Sequence, residues 1–311
     1  MNYQNNITDY LNSYLKNINN LEKFYINKPY RSLAFRTNFK FCDIMSDFMR
    51  KKYGLYNFDI NNEIIKDNNF ENINHELNTS GYFITNIDPS LCDTILDKLK
   101  KIKMENRTPT TLWCEDMGEV LNIAEIQNLV TDSNLLTIVQ NFLNCKPILS
   151  QTNYWKSITG KTNDAILNKN AQKFHRDFDH EKWIKIFIYL NDISNDNGPH
   201  CFVKGSQNKI IPNEKWGRQD DSWISQNFNK DDIKCFTGKK GTIIFENTRG
   251  FHKGTHVLEK ERNILQLEFS INKQYASGYP KCINLKNPSE QFKKYNKKYP
   301  YVYQYVNIVN D

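Results

Sequence analysis

Two residues that share one face of a short extended segment open the chemistry of this chain: His175 and Asp177, in Phe174-His-Arg-Asp-Phe178. Successive side chains of extended backbone alternate sides, so positions two apart point the same way and reach one metal ion together. An imidazole and a carboxylate are two corners of a 2-His-1-carboxylate face, which leaves the opposite positions free for substrates and suits non-haem Fe(II). A second imidazole must come from elsewhere. Thr242–Glu246 follows Gly241 as a strand-like run, and a turn through Gly250 delivers Phe251-His252-Lys253-Gly254. Ten residues past His252, Arg262 heads the alternating run to Ser270. His256 is the competing second imidazole, while His75, His180 and His200 carry no partner pattern and read as surface or structural residues.

The elements needed to hold these residues are visible upstream. Trp183–Leu190 and Ile148–Ser157 read as strands, and Gly81–Ile87 as another, followed by an Asp88 N-cap with proline at the first helical position. Leu91, Ile95, Leu96, Leu99 and Ile102 give the next helix one apolar face. Further helices are expected at Glu119–Leu129 and Asn134–Asn144, the latter capped by Asp132 or Ser133. Helices first and strands later predict an α+β chain with a mostly β core, a sandwich or barrel buttressed by helices. Before residue 79 the pattern is fainter. Ile7 to Leu21 recurs at helical spacing, Asp43–Tyr53 reads as a helix stopped by Gly54, and the Asn-rich stretch 61–78 reads as a loop. The polar stretch 159–170 also reads as a loop. Residues 1–78 are therefore expected to form a helical extension, and 79–311 the main domain.

In that order, the His-x-Asp, the strands, the remote His and the strand-borne Arg resemble the phytanoyl-CoA dioxygenase family of Fe(II)/2-oxoglutarate oxygenases. Asn195-Asp-Asn-Gly-Pro-His-Cys-Phe-Val-Lys-Gly-Ser-Gln207 is similar to the family's linking turn, and the likeness spans roughly 81–270. It implies a double-stranded β-helix, the jelly-roll or cupin-like barrel. It implies that His175, Asp177 and His252 bind iron, with His252 favoured over His256 because the family's arginine lies about ten residues further on. Arg262 is then the anchor for the far carboxylate of 2-oxoglutarate, since a guanidinium grips a carboxylate through two parallel hydrogen bonds. The implied reaction is hydroxylation of an unactivated C–H of a small molecule, with O2 consumed and succinate and CO2 formed.

Two positions depart from the family. Gly254 stands where many members place a serine hydroxyl for 2-oxoglutarate, so Thr255 or Asn153 is expected to substitute, and Gln207 replaces a histidine. Asp177 is retained where related halogenases carry a small residue, which favours hydroxylation over halogenation. Phe178, Trp183 and His180 are the expected substrate-facing residues, with the loops 107–113 and 219–228 beside them. The alternatives are a catalytically inactive member of the fold acting as sensor or scaffold, and a zinc or metal-independent cupin. Zinc prefers four tetrahedral ligands and gives Arg262 no role.

Bulk properties narrow the class. With 39% hydrophobic and 13% aromatic residues the chain can bury a core, and a mean hydropathy of −0.71 excludes a membrane-protein composition. No apolar run is long enough to span a bilayer, and Met1-Asn-Tyr-Gln-Asn-Asn has no signal-peptide character, so a cytoplasmic location is expected. The seven cysteines are scattered without Cys-x-x-Cys spacing, which predicts free thiols and no disulfide framework. The net charge of +7 is interspersed, and the lysines of the Tyr-rich tail (Lys286, Lys293, Lys294, Lys297, Lys298) accompany no recognised nucleic-acid motif, so no nucleic-acid partner is expected.

Overall fold

The alternating runs pair into an antiparallel sheet in the computed structural model, which describes residues 39–60, 63–212, 214, 217–272 and 282–309, with 9, 34 and 37 as isolated positions. In chain order the strands are β1 Tyr82–Asn86, β2 Glu105–Thr108, β3 Thr111–Trp113, β4 Ile148–Ser157, β5 Trp183–Tyr189, β6 His200–Val203, β7 Ile233–Phe236, β8 Thr242–Glu246, β9 His252–Gly254, β10 Arg262–Ser270, β11 Ile283–Leu285 and β12 Val306–Ile308. Seven form the major sheet, ordered β1-β8-β5-β10-β4-β3-β2, and β7-β6-β9 form a minor one. The main-chain hydrogen bonds between His175 and His252, 3.0 Å in each direction, bind the His-x-Asp segment to the edge strand β9 of the minor sheet. This is the expected jelly roll, an α+β chain with a mostly β core.

Strand parity separates two interiors. On β10, Leu265, Leu267 and Phe269 turn toward the helices, as do Ile184, Ile186 and Ile188 on β5 and Ile243 and Phe245 on β8. The alternate positions Phe187, Tyr189, Ile244 and Ile264 face the barrel interior. Burial on both faces explains why β5 reads as a nearly continuous apolar run. Register aligns the inward side chains in rows across the sheet. Glu246, Lys185, Glu268 and Gln151 make one row, and Arg262 lies opposite Ser157 at the far end of β10.

The helical layer is built around Ser133–Leu143, which buries nine of its eleven residues. Asp132 caps it, accepting from Leu135 N–H at 2.8 Å, and its other oxygen accepts from Ile64 N–H at 2.6 Å. Asp132→Ala removes both acceptors and should destabilise the fold by about 1–2 kcal/mol, to be read by thermal or denaturant unfolding. An unchanged midpoint would mean that water replaces the carboxylate at no cost.

Four expected elements change. The helix stopped by Gly54 begins earlier, at Lys40. The stretch 61–78 is not all loop: Phe70–Thr79 is helical, capped by Asn69 and buried through Ile73 and Leu77. Glu119–Leu129 is two helices, Met117–Leu121 and Ala124–Val130, because Ile123 is extended. Within 159–170, Asn163 caps the short helix Asp164–Lys169. The helix expected over residues 7–21 lies, but for Asp9, outside the described residues. The tail packs rather than projecting, since helix Glu290–Lys298 buries Phe292 and Tyr295. No described helix is long and apolar enough to cross a membrane.

The thiol expectation also needs correction. Cys201 and Cys235 sit directly opposite on β6 and β7 and are joined by a disulfide. Only strand register brings them together, and a separation of 34 residues gives no hint of it. Cys42, Cys92, Cys114, Cys145 and Cys282 are free.

Candidate active site

His175, Asp177 and His252 converge at the mouth of the barrel, with one ligand atom of each within 4.8 Å of the others. His175 Nε2 is 3.5 Å from Asp177 Oδ1, and His252 Nε2 is 3.3 Å from Asp177 Oδ2. Such separations are close to those of neighbouring donors on one small cation, roughly √2 times a ~2.1 Å bond. Local backbone fixes both rings. His175 Nδ1 lies 3.0 Å from the Lys173 carbonyl and His252 Nδ1 3.0 Å from the Gly250 carbonyl, so each Nδ1–H donates there and each Nε2 lone pair faces the site.

The charge states suit metal binding. Burial, then the His252 ring and Arg218, hold the His175 imidazole well below its ordinary value against the pull of Asp177, so it is neutral. Burial alone would raise the Asp177 carboxyl, but Lys185 and the two imidazoles outweigh it and hold it well below the carboxylate range. Lys185 Nζ reaches Asp177 Oδ2 and Asp179 Oδ2 at 2.7 Å each and Glu268 Oε2 at 3.5 Å. It therefore occupies one carboxylate oxygen of Asp177 and leaves Oδ1 to the metal side. Three donors on one face, two of them imidazoles oriented through the backbone, fit a divalent iron.

Arg262 is buried and bonds through its guanidinium to the Gly198 carbonyl and to Ser157 Oγ, the latter at 3.2 Å. Among the described residues no carboxylate pairs with it, and burial lowers it from its ordinary value. A buried guanidinium in that position calls for an anion. The guanidinium also explains Gly254. A Cβ there would lie 2.6 Å from Arg262 Nη2, so this chain gives to the arginine the space that a serine takes elsewhere in the family.

The triad and Arg262 line one cavity of ≈ 180 Å³, whose walls also include Trp155, Ser157, Phe187 and His200. Thr255 and Asn153 lie outside those walls: the Thr255 hydroxyl donates to the Pro199 carbonyl at 3.0 Å, and the Asn153 amide donates to Gln151 at 2.7 Å. Phe178 is on the opposite parity from Asp177 and stacks near Phe39. Trp183 is fully buried with Nε1 donating to Thr248 Oγ1 at 2.8 Å, and His180 is buried 3.0 Å from Glu268. None of these three lines the cavity. Of the expected loop walls, Arg107 and Thr111 are on the cavity and 219–228 is not. His256 stands outside the metal-competent cluster.

Three wall residues escaped the sequence reading. His200 is buried, its ring 4.5 Å from Phe187 and 5.7 Å from His252, and burial and Arg262 push it down to about 3. Its Nε2 is 2.7 Å from Glu246, which burial pushes up to about 8, so at neutral pH a protonated carboxyl meets a neutral imidazole. Lys185 did leave a signal, a lone charge in the middle of an apolar strand. Arg218 left none, because only the Gln219–Phe174 backbone pairing brings its loop to the site.

No curated protein matches the chain. Among solved structures it is similar to EctD from S. alaskensis in its apoform, with TM-score 0.49, 15% identity, and 72% of this chain and 85% of that one covered. It is also similar to HygX from Streptomyces hygroscopicus with nickel, 2-oxoglutarate and hygromycin B bound, at TM-score 0.48 and 14% identity over 70% and 92% of the two chains. The family model described as phytanoyl-CoA dioxygenase (PhyH) matches residues 85–259, more than half of the sequence and a span that holds all three converging residues. The chain belongs to the phytanoyl-CoA dioxygenase family and is a 2-oxoglutarate-dependent non-haem iron oxygenase.

Proposed function

We propose that this oxygenase hydroxylates an unactivated C–H of a small-molecule substrate: substrate, O2 and 2-oxoglutarate give the alcohol, succinate and CO2. His175, Asp177 and His252 hold the iron, and Arg262 receives the distal carboxylate of 2-oxoglutarate. The observation that carries this reading is a buried guanidinium without a carboxylate partner in the same cavity as a complete two-imidazole, one-carboxylate cluster. A scaffold or sensor has no use for both.

Bound iron supplies the activation of O2 beside a reductant consumed in the same turnover. The remaining work falls to the chain. The Lys173 and Gly250 carbonyls keep both imidazoles in the Nδ1–H tautomer, which preserves their Nε2 lone pairs for the metal. Lys185 holds Asp177 to one free oxygen and so keeps a position open. Ser157, hydrogen-bonded to Arg262, supplies the hydroxyl expected of Thr255, and it can donate to the same carboxylate. Phe187 and Ile264 make the apolar walls that limit water around the reacting carbon.

Purified protein with Fe(II), 2-oxoglutarate and O2 should form succinate slowly on its own and faster with a substrate found in a metabolite library. Under 18O2 the product should gain one labelled oxygen atom. A product of unchanged mass, or one two hydrogens lighter, would replace hydroxylation by epimerisation or by desaturation. Folded, iron-loaded protein that forms no succinate above the enzyme-free rate would leave a binding protein.

A further inference from the structure

The cavity contains more positive charge than iron chemistry and 2-oxoglutarate use. Its charged wall residues are Arg107, Lys169, Lys185, Arg218 and Arg262 against Asp177 alone. Lys185 is accounted for by Asp177, Asp179 and Glu268, and Arg262 by the distal carboxylate of the cosubstrate. Arg107, Arg218 and the exposed Lys169 remain, and of these the two guanidiniums can each offer a paired fork. Among the described residues no carboxylate lies within ion-pair distance of either, apart from the longer-range pull of Asp177 on Arg218.

The Arg107 guanidinium is held in place by its neighbours, and Arg218 reaches the cavity from an exposed loop position whose backbone is anchored. Arg107, on β2, lies over the Trp155 ring at 5.0 Å and the Trp113 ring at 5.4 Å, and the two indoles are themselves stacked 5.4 Å apart. Its Nε donates to the Lys169 carbonyl at 3.3 Å, while no bond within the described chain uses its terminal nitrogens. Arg218 is set beside His175 by the bond from Gln219 N–H to the Phe174 carbonyl, 2.7 Å. The two arginines repel each other, Arg107 helping to lower Arg218 from its ordinary value after burial. Two like charges on one cavity, neither with an ion-pair partner among the described residues, favour an anion shared between them.

We infer that Arg107 and Arg218 form a clamp for an oxyanion carried by the substrate, so that the enzyme acts on a compact phosphorylated or carboxylated molecule. The inference rests on the oxygenase reading for the word substrate, but the clamp itself does not. Placement of Arg218 next to His175 puts the oxyanion near the reacting carbon, which suits a small acid or ester better than a long carrier thioester with its phosphates at the far end. A guanidinium recognises phosphate and carboxylate alike through a paired fork, so the test must separate them.

Glycerol 3-phosphate, glycerate and glycerol share a carbon skeleton and differ in the charged group. Each is titrated by calorimetry, under argon, into protein saturated with Fe(II) and 2-oxoglutarate, while the visible charge-transfer band of that complex is recorded. Saturable binding of the phosphate or of the glycerate, with no heat from glycerol, is expected, and whichever anion binds identifies the oxyanion. Arg107→Gln and Arg218→Gln should each weaken it at least tenfold and leave the band in place, with Arg218→Lys in between. The clamp is overturned if neither anion binds, if glycerol binds as well, or if the double Gln variant binds unchanged. A protein that shows no charge-transfer band, yet binds an anion through the two arginines in the same titration, would refute the oxygenase and keep the clamp.

Discussion

Asp177→Ala should abolish the weak visible charge-transfer band that Fe(II) and 2-oxoglutarate give together in the absence of O2. The side chain is the one anionic member of the cluster, and its two oxygens face the two imidazoles at 3.5 and 3.3 Å. Outer-sphere partners of a metal ligand are worth about 10–100-fold in affinity, so removal of the ligand itself should cost at least ~100-fold. Loss of the fold is a poor alternative explanation, since Lys185 keeps Asp179 and Glu268 as partners when Asp177 is gone. Circular dichroism and thermal unfolding of the variant check this. His175→Ala should behave alike, because His252 and Asp177 alone do not make a facial set. Iron affinity equal to the parent in either variant would remove that residue from the centre.

The second large effect belongs to Arg262. Arg262→Ala should weaken 2-oxoglutarate by about 2–5 kcal/mol, the range for truncating one partner of a buried, hydrogen-bonded charge pair. In affinity that is roughly thirtyfold to several-thousandfold. Iron binding should survive, because Arg262 is not among the converging ligands, and this separates the variant from Asp177→Ala. Arg262→Lys keeps the charge but loses the planar fork, so it should fall between the two. The measurement is an anaerobic titration of the charge-transfer band with 2-oxoglutarate at fixed iron. Unchanged affinity in the alanine variant would assign the anchor elsewhere, with Arg218 the next guanidinium on the same cavity.

Elements whose period was strong in the sequence came out nearly to the residue. The run from Arg262 to Ser270 is β10, Ile148–Ser157 is β4, and the helix expected from Asn134 starts one residue earlier at Ser133. Phe70–Thr79 was hidden because asparagine is a weak helix former, and that preference is overridden when Ile73 and Leu77 are buried against the helical layer. Glu119–Leu129 looked continuous because the apolar positions keep their spacing through the break at Ile123, where the backbone turns extended.

What the sequence by itself determined is what covalent neighbours determine. Alternation along extended backbone put His175 and Asp177 on one side, and the heading position of Arg262 on its strand followed from the same period. Only the tertiary structure decided which later imidazole joins the pair, that Lys185 is spent on Asp177, that Cys201 meets Cys235, and that Arg107 and Arg218 share a cavity. Those meetings depend on register between segments tens of residues apart. Register is set by the burial of whole faces and not by any local preference, so it cannot be read from one stretch of chain at a time.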